Sequence, residues 1–347
     1  MKLPAEAHMK KRFLIPILLC FLYLLLFPKN AVISARDGLL LWYNSVLPVL
    51  FPFMLLCSLI LRLNLLESLP SAFYKPICRL FGCSCYGAFA VLAGFLCGFP
   101  MGAKITGDLL RQNKISRTEA KFLYGFVNNL SPGFILSYIA AEQLGDAALG
   151  LSLLVPVLGS AILYGLLSSI WFRHANSTQH TLSESRQHTS DRSTFRAASA
   201  DSAPESTFIH TASDSSFFLT LDDCIYDTIR STVKLGAYIT LFCILVGAFL
   251  SLLPHALSHF SSLLLLSCIE VTNGVRMLAD SALSFPVKYM SICALAAFGG
   301  LSALSQSIGI SGMDRELLFY YIKSRVITTL LSICIAACSV LFSVFFL

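Results

Sequence analysis

Residues Gly87 to Cys97 form a run of apolar and small side chains that ends in Gly98-Phe99-Pro100-Met101-Gly102-Ala103-Lys104. Helix breakers and a cation at the end of a membrane-type helix do not fit lipid-facing structure. Backbone that leaves the helix at membrane depth must be buried in protein or line a wet cavity. The run is also too short to span comfortably. Basic residues flank it on both sides, with Arg62, Lys75 and Arg79 in the preceding loop and Lys104, Arg111, Lys114, Arg117 and Lys121 after it. Basic flanks on both sides place both in the cytoplasm. The run between them is therefore predicted to turn back inside the membrane as a re-entrant hairpin.

The membrane setting itself rests on composition. Of 347 residues, 56% are hydrophobic and only 13% charged, where a soluble domain carries about a quarter charged. Mean hydropathy is +0.74. The length allows several spans of about 20 residues. The net charge of +6 sits mostly at segment ends, which suits the positive-inside rule and anionic headgroups rather than nucleic acid. Seven of the twelve cysteines (Cys20, Cys57, Cys97, Cys243, Cys293, Cys334 and Cys338) lie in apolar runs, where they act as small hydrophobes. The one cluster, Cys78, Cys83 and Cys85, lacks the paired C-x2-C spacing of zinc sites, so no metal or cofactor is expected.

Lys10-Lys11-Arg12 followed by Phe13 to Phe27 has the charged and apolar regions of a signal peptide, and Ala31 to Ala35 supplies small residues for cleavage. The many later spans favour an uncleaved first membrane helix with a cytoplasmic N-terminus. Residues 31–45, with Trp42 and Tyr43, read as an interfacial helix. Val46 to Leu61 is apolar and kinked by Pro48 and Pro52. Ser116-Arg117-Thr118-Glu119 has capping-box spacing and should start a helix. That helix runs into a second interruption, Asn128-Asn129-Leu130-Ser131-Pro132-Gly133, which is costly in lipid. Residues 147–172 make a further span. Residues 173–216 are rich in Ser, Thr and His and are expected to be a disordered cytoplasmic linker. Thr220-x-x-Asp223 then opens a second interfacial helix to Lys234, with a span over Gly236 to Leu253. His255 and His259 are four apart, as a metal pair or as the polar face of an interfacial helix. Residues 260–269 are a short apolar run ending in Glu270, Asn273 and Arg276. Residues 286–304 carry Gly299-Gly300-Leu301-Ser302, followed by Ser305, Gln306 and Ser307. A short polar helix with Arg315, Lys323 and Arg325 precedes a last span over 326–347.

The two sides of the linker follow one plan, an N-terminal half over 1–172 and a C-terminal half over 217–347. The fold class is all-α and polytopic, with two diverged repeats containing interfacial and broken or re-entrant helices. Gly98 to Lys104 is set against Gly300 to Gln306, and residues 116–124 against 313–321. Gly-interrupted apolar segments in both halves point to a transporter-like central site. Its candidate residues are Gly98, Pro100, Gly102, Lys104, Asn128, Asn129, Ser131, Pro132, Gly300, Ser302, Ser305 and Gln306. Unwound backbone and half-helix N-termini supply binding groups there. Lys104 supplies the one formal charge.

The runs GFLCGFPMGAK, KISRTEA, FVNNLSPGF, GLLLWYNSVLPVLFPF and AAFGGLSALSQ resemble the sporulation integral membrane proteins of the YlbJ kind. The likeness covers most of the chain outside the linker and the extreme N-terminus. That family is grouped with the nucleoside-recognition, or Gate, membrane domains. These also occur in concentrative nucleoside transporters, the ferrous-iron transport protein B family and spore maturation proteins. The resemblance implies an inner-membrane protein of an endospore-forming bacterium, with a Gate-like repeat in each half. The family pattern often has a His near Leu304. Here the sequence reads Ser302-Ala303-Leu304-Ser305-Gln306, so a ligand role for that histidine does not carry over, while Gln306 remains.

Two functions follow. One is a transporter or gate for a small polar solute. The other is a non-transporting scaffold that assembles spore-envelope proteins, itself included as an oligomer. No nucleophile–base pair, phosphate loop or metal motif supports an enzyme. The partners expected are the lipid bilayer, a small polar solute and other spore-envelope membrane proteins, with no nucleic acid.

Overall fold

The computed structural model describes residues 3–68, 70–190, 214–252 and 260–346, and among them every regular element is helical. Large apolar side chains face outward, Trp171 being 82% exposed, while Asn128, Glu270, Gln306 and Arg325 are buried. A polar interior under an apolar surface is the arrangement required by a lipid solvent. Four helical stretches are long and apolar enough to cross a membrane: Leu149–His174, Phe217–Leu252, Phe285–Ser311 and Arg315–Phe342. Two further pairs are bent, Ile17–Leu26 with Pro28–Val46 by 110° and Ala72–Phe81 with Cys85–Cys97 by 96°. The protein is a multi-pass membrane protein.

The first half opens with α1 (Leu3–Leu26), α2 (Pro28–Leu41), a π-helical turn over Trp42–Val46, and α3 (Leu47–Arg62). Arg62 and the pair Lys75 and Arg79, read from sequence as loop residues, are helical. Arg62 ends α3, and the other two lie on α4 (Ser71–Phe81). Next come α5 (Cys85–Cys97) and α6 (Met101–Arg111), packed side by side as the expected hairpin. Their close approach needs small residues, since a Cβ on Gly94 or Gly102 would run into the Val127 carbonyl. Then α7 (Arg117–Tyr124) begins where the capping spacing put it, with Ser116 Oγ accepting from Glu119 N at 3.1 Å. The reciprocal half of the box is absent. Glu119 instead accepts from Ser84 N at 2.7 Å and ties α7 to the start of α5. After the interruption, α8 (Pro132–Phe134) continues as a π-helix over Ile135–Gln143.

The long α9 (Leu149–Ser190) passes the boundary expected for a disordered linker at 173. Extending an existing helix needs no new nucleus, which removes the main cost of that polar stretch being helical. Residues 191–213 lie outside the described residues, as do His255 and His259. In the second half, α10 (Asp214–Leu252) is one helix rather than an interfacial helix and a span. The glycine at the expected boundary, Gly236, costs only about 1 kcal/mol in a helix interior, and the Trp42 ring packs against it. Likewise the polar helix and last span merge into α15 (Arg315–Phe346).

A second hairpin is formed by α11 (Phe260–Ser267) and α12 (Val271–Ala279), where a Cβ on Gly274 would meet the Ser267 carbonyl. Last come α13 (Phe285–Phe298) and α14 (Gly300–Ser311), which run on in the same general direction as one 27-residue span despite the break at Gly299. This geometry corrects the correspondence drawn from sequence. Gly98 sits at a hairpin tip, where the chain reverses, whereas Gly300 sits where it runs through. The tip at Cys268-Ile269-Glu270 is the geometric match for Gly98-Phe99-Pro100. Similar Gly-rich spelling concealed two different backbone jobs.

Ion pairs define one end of the molecule. Arg111 NH1 donates to Ser311 O at 2.6 Å, Arg117 contacts Asp314 at 2.5 Å, and Lys121 contacts Glu316 at 3.0 Å. The ends of α6 and α14 and the starts of α7 and α15 therefore meet at this basic end. The α5–α6 hairpin enters from it. Because α13–α14 runs through as one span to the basic end, α12 delivers the chain to the opposite one, and the α11–α12 hairpin enters from there.

Candidate functional site

Four interruptions in the helices meet in the interior, two hairpin tips and two helix breaks. Gly98 has φ +85°, open to glycine without strain, and a Cβ there would lie 2.6 Å from Ser131 N. The first tip thus presses on the first break. At Gly299, φ +86°, a Cβ would strike the Phe99 ring, so the first tip also reaches the second break. The second tip closes on that break through backbone bonds. Leu301 N donates to Cys268 O at 2.8 Å and Ser302 N to Ile269 O at 3.0 Å. Those two N–H groups are among the four that any helix start leaves unpaired. In the bilayer core their satisfaction is obligatory.

The first break is satisfied from elsewhere. Asn128 Oδ1 accepts from Ala103 N at 3.3 Å, while its Nδ2 donates to Ser307 Oγ at 2.6 Å and Tyr321 OH at 2.7 Å. Asn129 Nδ2 donates back to Phe126 O at 2.7 Å. Arg325 of α15, 0% exposed, donates from NH1 to Asn128 O at 2.6 Å and to Asn129 Oδ1 at 3.3 Å, and from NH2 to Gly125 O at 3.1 Å. Its guanidinium carbon lies 5.6 Å from the Tyr321 ring centroid. Among the described residues no carboxylate pairs with it. The Gly125 carbonyl, at the negative end of the α7 dipole, and the oxygens of Asn128 and Asn129 in the break take that role.

Ser131 caps α8, its Oγ accepting from Phe134 N at 3.2 Å, with Pro132 in the first turn where its missing N–H costs nothing. Opposite it, Glu270 is 3% exposed and caps α12, accepting from Thr272 N at 3.2 Å and Asn273 N at 2.8 Å. Both bonds satisfy N–H groups that the start of α12 leaves without a helical partner. Tyr138 OH donates to Thr272 O at 3.1 Å and holds the π-helix against this tip. Gln306 Nε2 donates to Ser302 Oγ at 2.8 Å along α14.

Between these parts lies a cavity of about 600 Å³. Gly98, Ser131, Ser302 and Gln306 of the expected residues line it, joined by Glu142 and Glu270. Asn44 and Ser45 of the π-turn face it from the side. No Lys or Arg is among its lining residues.

The remaining expected residues lie elsewhere. Asn128 and Asn129 are used in the scaffold just described, and Pro132 starts α8. Pro100 and Gly102 are buried at the start of α6, and Gly300 packs on the second tip. Ser305 is half-buried and outside the lining. Lys104 is one turn into α6 and faces away from the cavity. It pairs with Asp108 at 2.8 Å and lines a separate, smaller pocket. The acidic side chains of the central cavity, Glu142 and Glu270, are therefore absent from the expected set. Glu270 had a sequence signal, the meeting of two short apolar runs around a single acid. Arg325 had only its position at the start of an apolar run beside Lys323, where it passed as a surface cation.

No family model matches the sequence, and no solved structure matches it. The chain is 26% identical over 305 residues to the sporulation integral membrane protein YlbJ of Bacillus subtilis (strain 168), a match covering 82% of this chain and 71% of that protein. That likeness, on an all-helical membrane architecture, supports a YlbJ-like family assignment for the chain.

Proposed function

We propose that this protein binds a small polar solute in the central cavity and passes or gates it across the membrane during spore formation. One observation carries the reading: two hairpin tips from opposite ends and two helix breaks converge on a single space, mostly apolar in its walls, into which a few polar side chains are set. Broken helices meeting at mid-depth are the usual construction of a solute site in secondary transporters. The volume, about 600 Å³, falls within the roughly 300–1,000 Å³ of small-molecule sites. The lining narrows the solute. Two carboxylates and no cation disfavour anions, so the ligand is a neutral polar molecule such as a nucleoside, or a small cation. Ser131, Ser302 and Gln306 offer the neutral hydrogen-bonding groups such a molecule needs. The role in sporulation is taken from the YlbJ likeness.

The test is uptake by purified full-length protein in proteoliposomes, screened with labelled nucleosides and small polar cations. Uptake of one class, lost in Glu270→Gln, supports the proposal. In parallel, Glu270→Gln and Gln306→Ala are placed in a sporulating host. Normal spores from both variants, at normal protein level and insertion, would reject the cavity and leave the scaffold reading.

A further inference from the structure

A second pocket, about 320 Å³, opens at the basic end between α3, α6, α10 and α14. Its charges are unbalanced. Arg62, Lys104, Arg111, Arg230 and Lys234 line it, against the carboxylates of Asp108 and Asp227. Those two acids are already committed. Asp108 accepts from both Lys104, at 2.8 Å, and Arg111, at 2.5 Å. Asp227 contacts Arg62, which also reaches Asp223 at 3.1 Å. Lys234 is held by the Gly309 carbonyl near the end of α14, and Arg230 has no ion-pair partner among the described residues. Segment-end cations that only set orientation need no common focus. Here cations from three helices of both halves turn toward one concavity.

We propose that this pocket binds a phosphate group, the shared chemistry of an anionic lipid headgroup and a soluble phosphate. Basic pockets between membrane helices are suited to such headgroups. Arg111 and Lys104 are pre-oriented by Asp108, and Arg62 by the α10 acids, so less side-chain entropy is lost on binding. Arg230 and Lys234, one turn apart on α10, carry charge that no protein carboxylate offsets. They are the residues whose removal reads out the site. The pocket is distinct from the central cavity, and its occupant is not the transported solute.

The experiment uses the full chain in phosphatidylcholine nanodiscs and follows thermal unfolding. In one arm inorganic phosphate or pyrophosphate is added from solution. In the other, part of the phosphatidylcholine is replaced by phosphatidylglycerol. Stabilisation in either arm is expected for the wild type and names the source. Arg230→Gln with Lys234→Gln should weaken the effect about thirty-fold in apparent affinity, taking about a five-fold loss per cation. Arg230→Gln alone, which removes no bond seen in the structure, should give roughly half that loss on a logarithmic scale. Lys75→Gln, an exposed cation outside the pocket, should leave binding unchanged. Stabilisation in neither arm would overturn the proposal. So would equal stabilisation of the wild type and the double variant, or an equal loss in Lys75→Gln, which would mean diffuse surface potential.

Discussion

Arg325→Met is the perturbation that best isolates how the broken helix is held. The side chain is fully buried and its two terminal nitrogens serve Gly125 O at 3.1 Å and Asn128 O at 2.6 Å. Methionine fills much of the same volume but donates nothing. Two backbone carbonyls would then be buried without partners, at about 1–3 kcal/mol each. Against this stands the relief of no longer burying a cation, which in other proteins has made apolar replacements of paired charges neutral or better. That precedent removed all partners together, whereas the carbonyls of the break would remain here. The net expectation is a loss of roughly 2–4 kcal/mol. Arg325→Lys keeps the charge but has no fork to reach both carbonyls, so it should fall between. The assay is reversible unfolding of purified protein in mixed micelles with increasing dodecyl sulfate. Wild-type stability in Arg325→Met, within about 0.5 kcal/mol, would refute the idea that this arginine caps the break.

Three other outcomes follow. Glu270→Gln should keep one of the two cap bonds, because its amide oxygen can accept from a backbone N–H but its NH2 cannot, and unfold within about 1 kcal/mol of wild type, while weakening a cationic solute at least tenfold in a binding titration; Glu270→Ala loses both bonds and should cost about 1 kcal/mol or more from the cap. Gly94→Ala should cost about 1–3 kcal/mol, because its methyl meets the Val127 carbonyl, a backbone atom that cannot swing aside. Asp314 sits before α15, where bonding from the Leu317 N–H and from the Arg117 guanidinium holds its carboxyl below the usual range. Its contribution is present above the unfolded carboxylate value near 4 and lost as pH falls through the lower folded one; acid unfolding compared between wild type and Asp314→Asn should differ above that window and converge below it.

Local features were readable in advance because their causes are local. The hairpin at Gly98 follows from a short apolar run between basic flanks, and the start of α7 follows from Ser116. What escaped depends on distant partners. Arg325 finds its acceptors nearly 200 residues away, and nothing beside it in the chain distinguishes it from Lys323. Lys104 looked like the charge of the site because it adjoins the first tip. Half a helical turn decides which way a side chain points, and that turn aims it at Asp108. The α10 and α15 boundaries failed for the opposite reason. Polar residues at Thr220 to Lys234 and at Arg315 to Arg325 look like separate helices, but without a strong breaker a helix continues past a change in solvent.

The central claim is that the convergence of tips and breaks encloses a water-filled cavity rather than a dry, packed interior. Cysteine accessibility tests it directly, using a chain freed of its native cysteines and carrying Ser131→Cys, Ser302→Cys or Leu301→Cys. Leu301 neighbours Ser302 but faces outward, 44% exposed on the lipid-facing surface. A charged, water-soluble thiol reagent should modify the cysteines at 131 and 302 from at least one side of the membrane and leave the one at 301 unmodified. Unreactive cysteines at both 131 and 302, in protein that remains folded and inserted, would contradict the account.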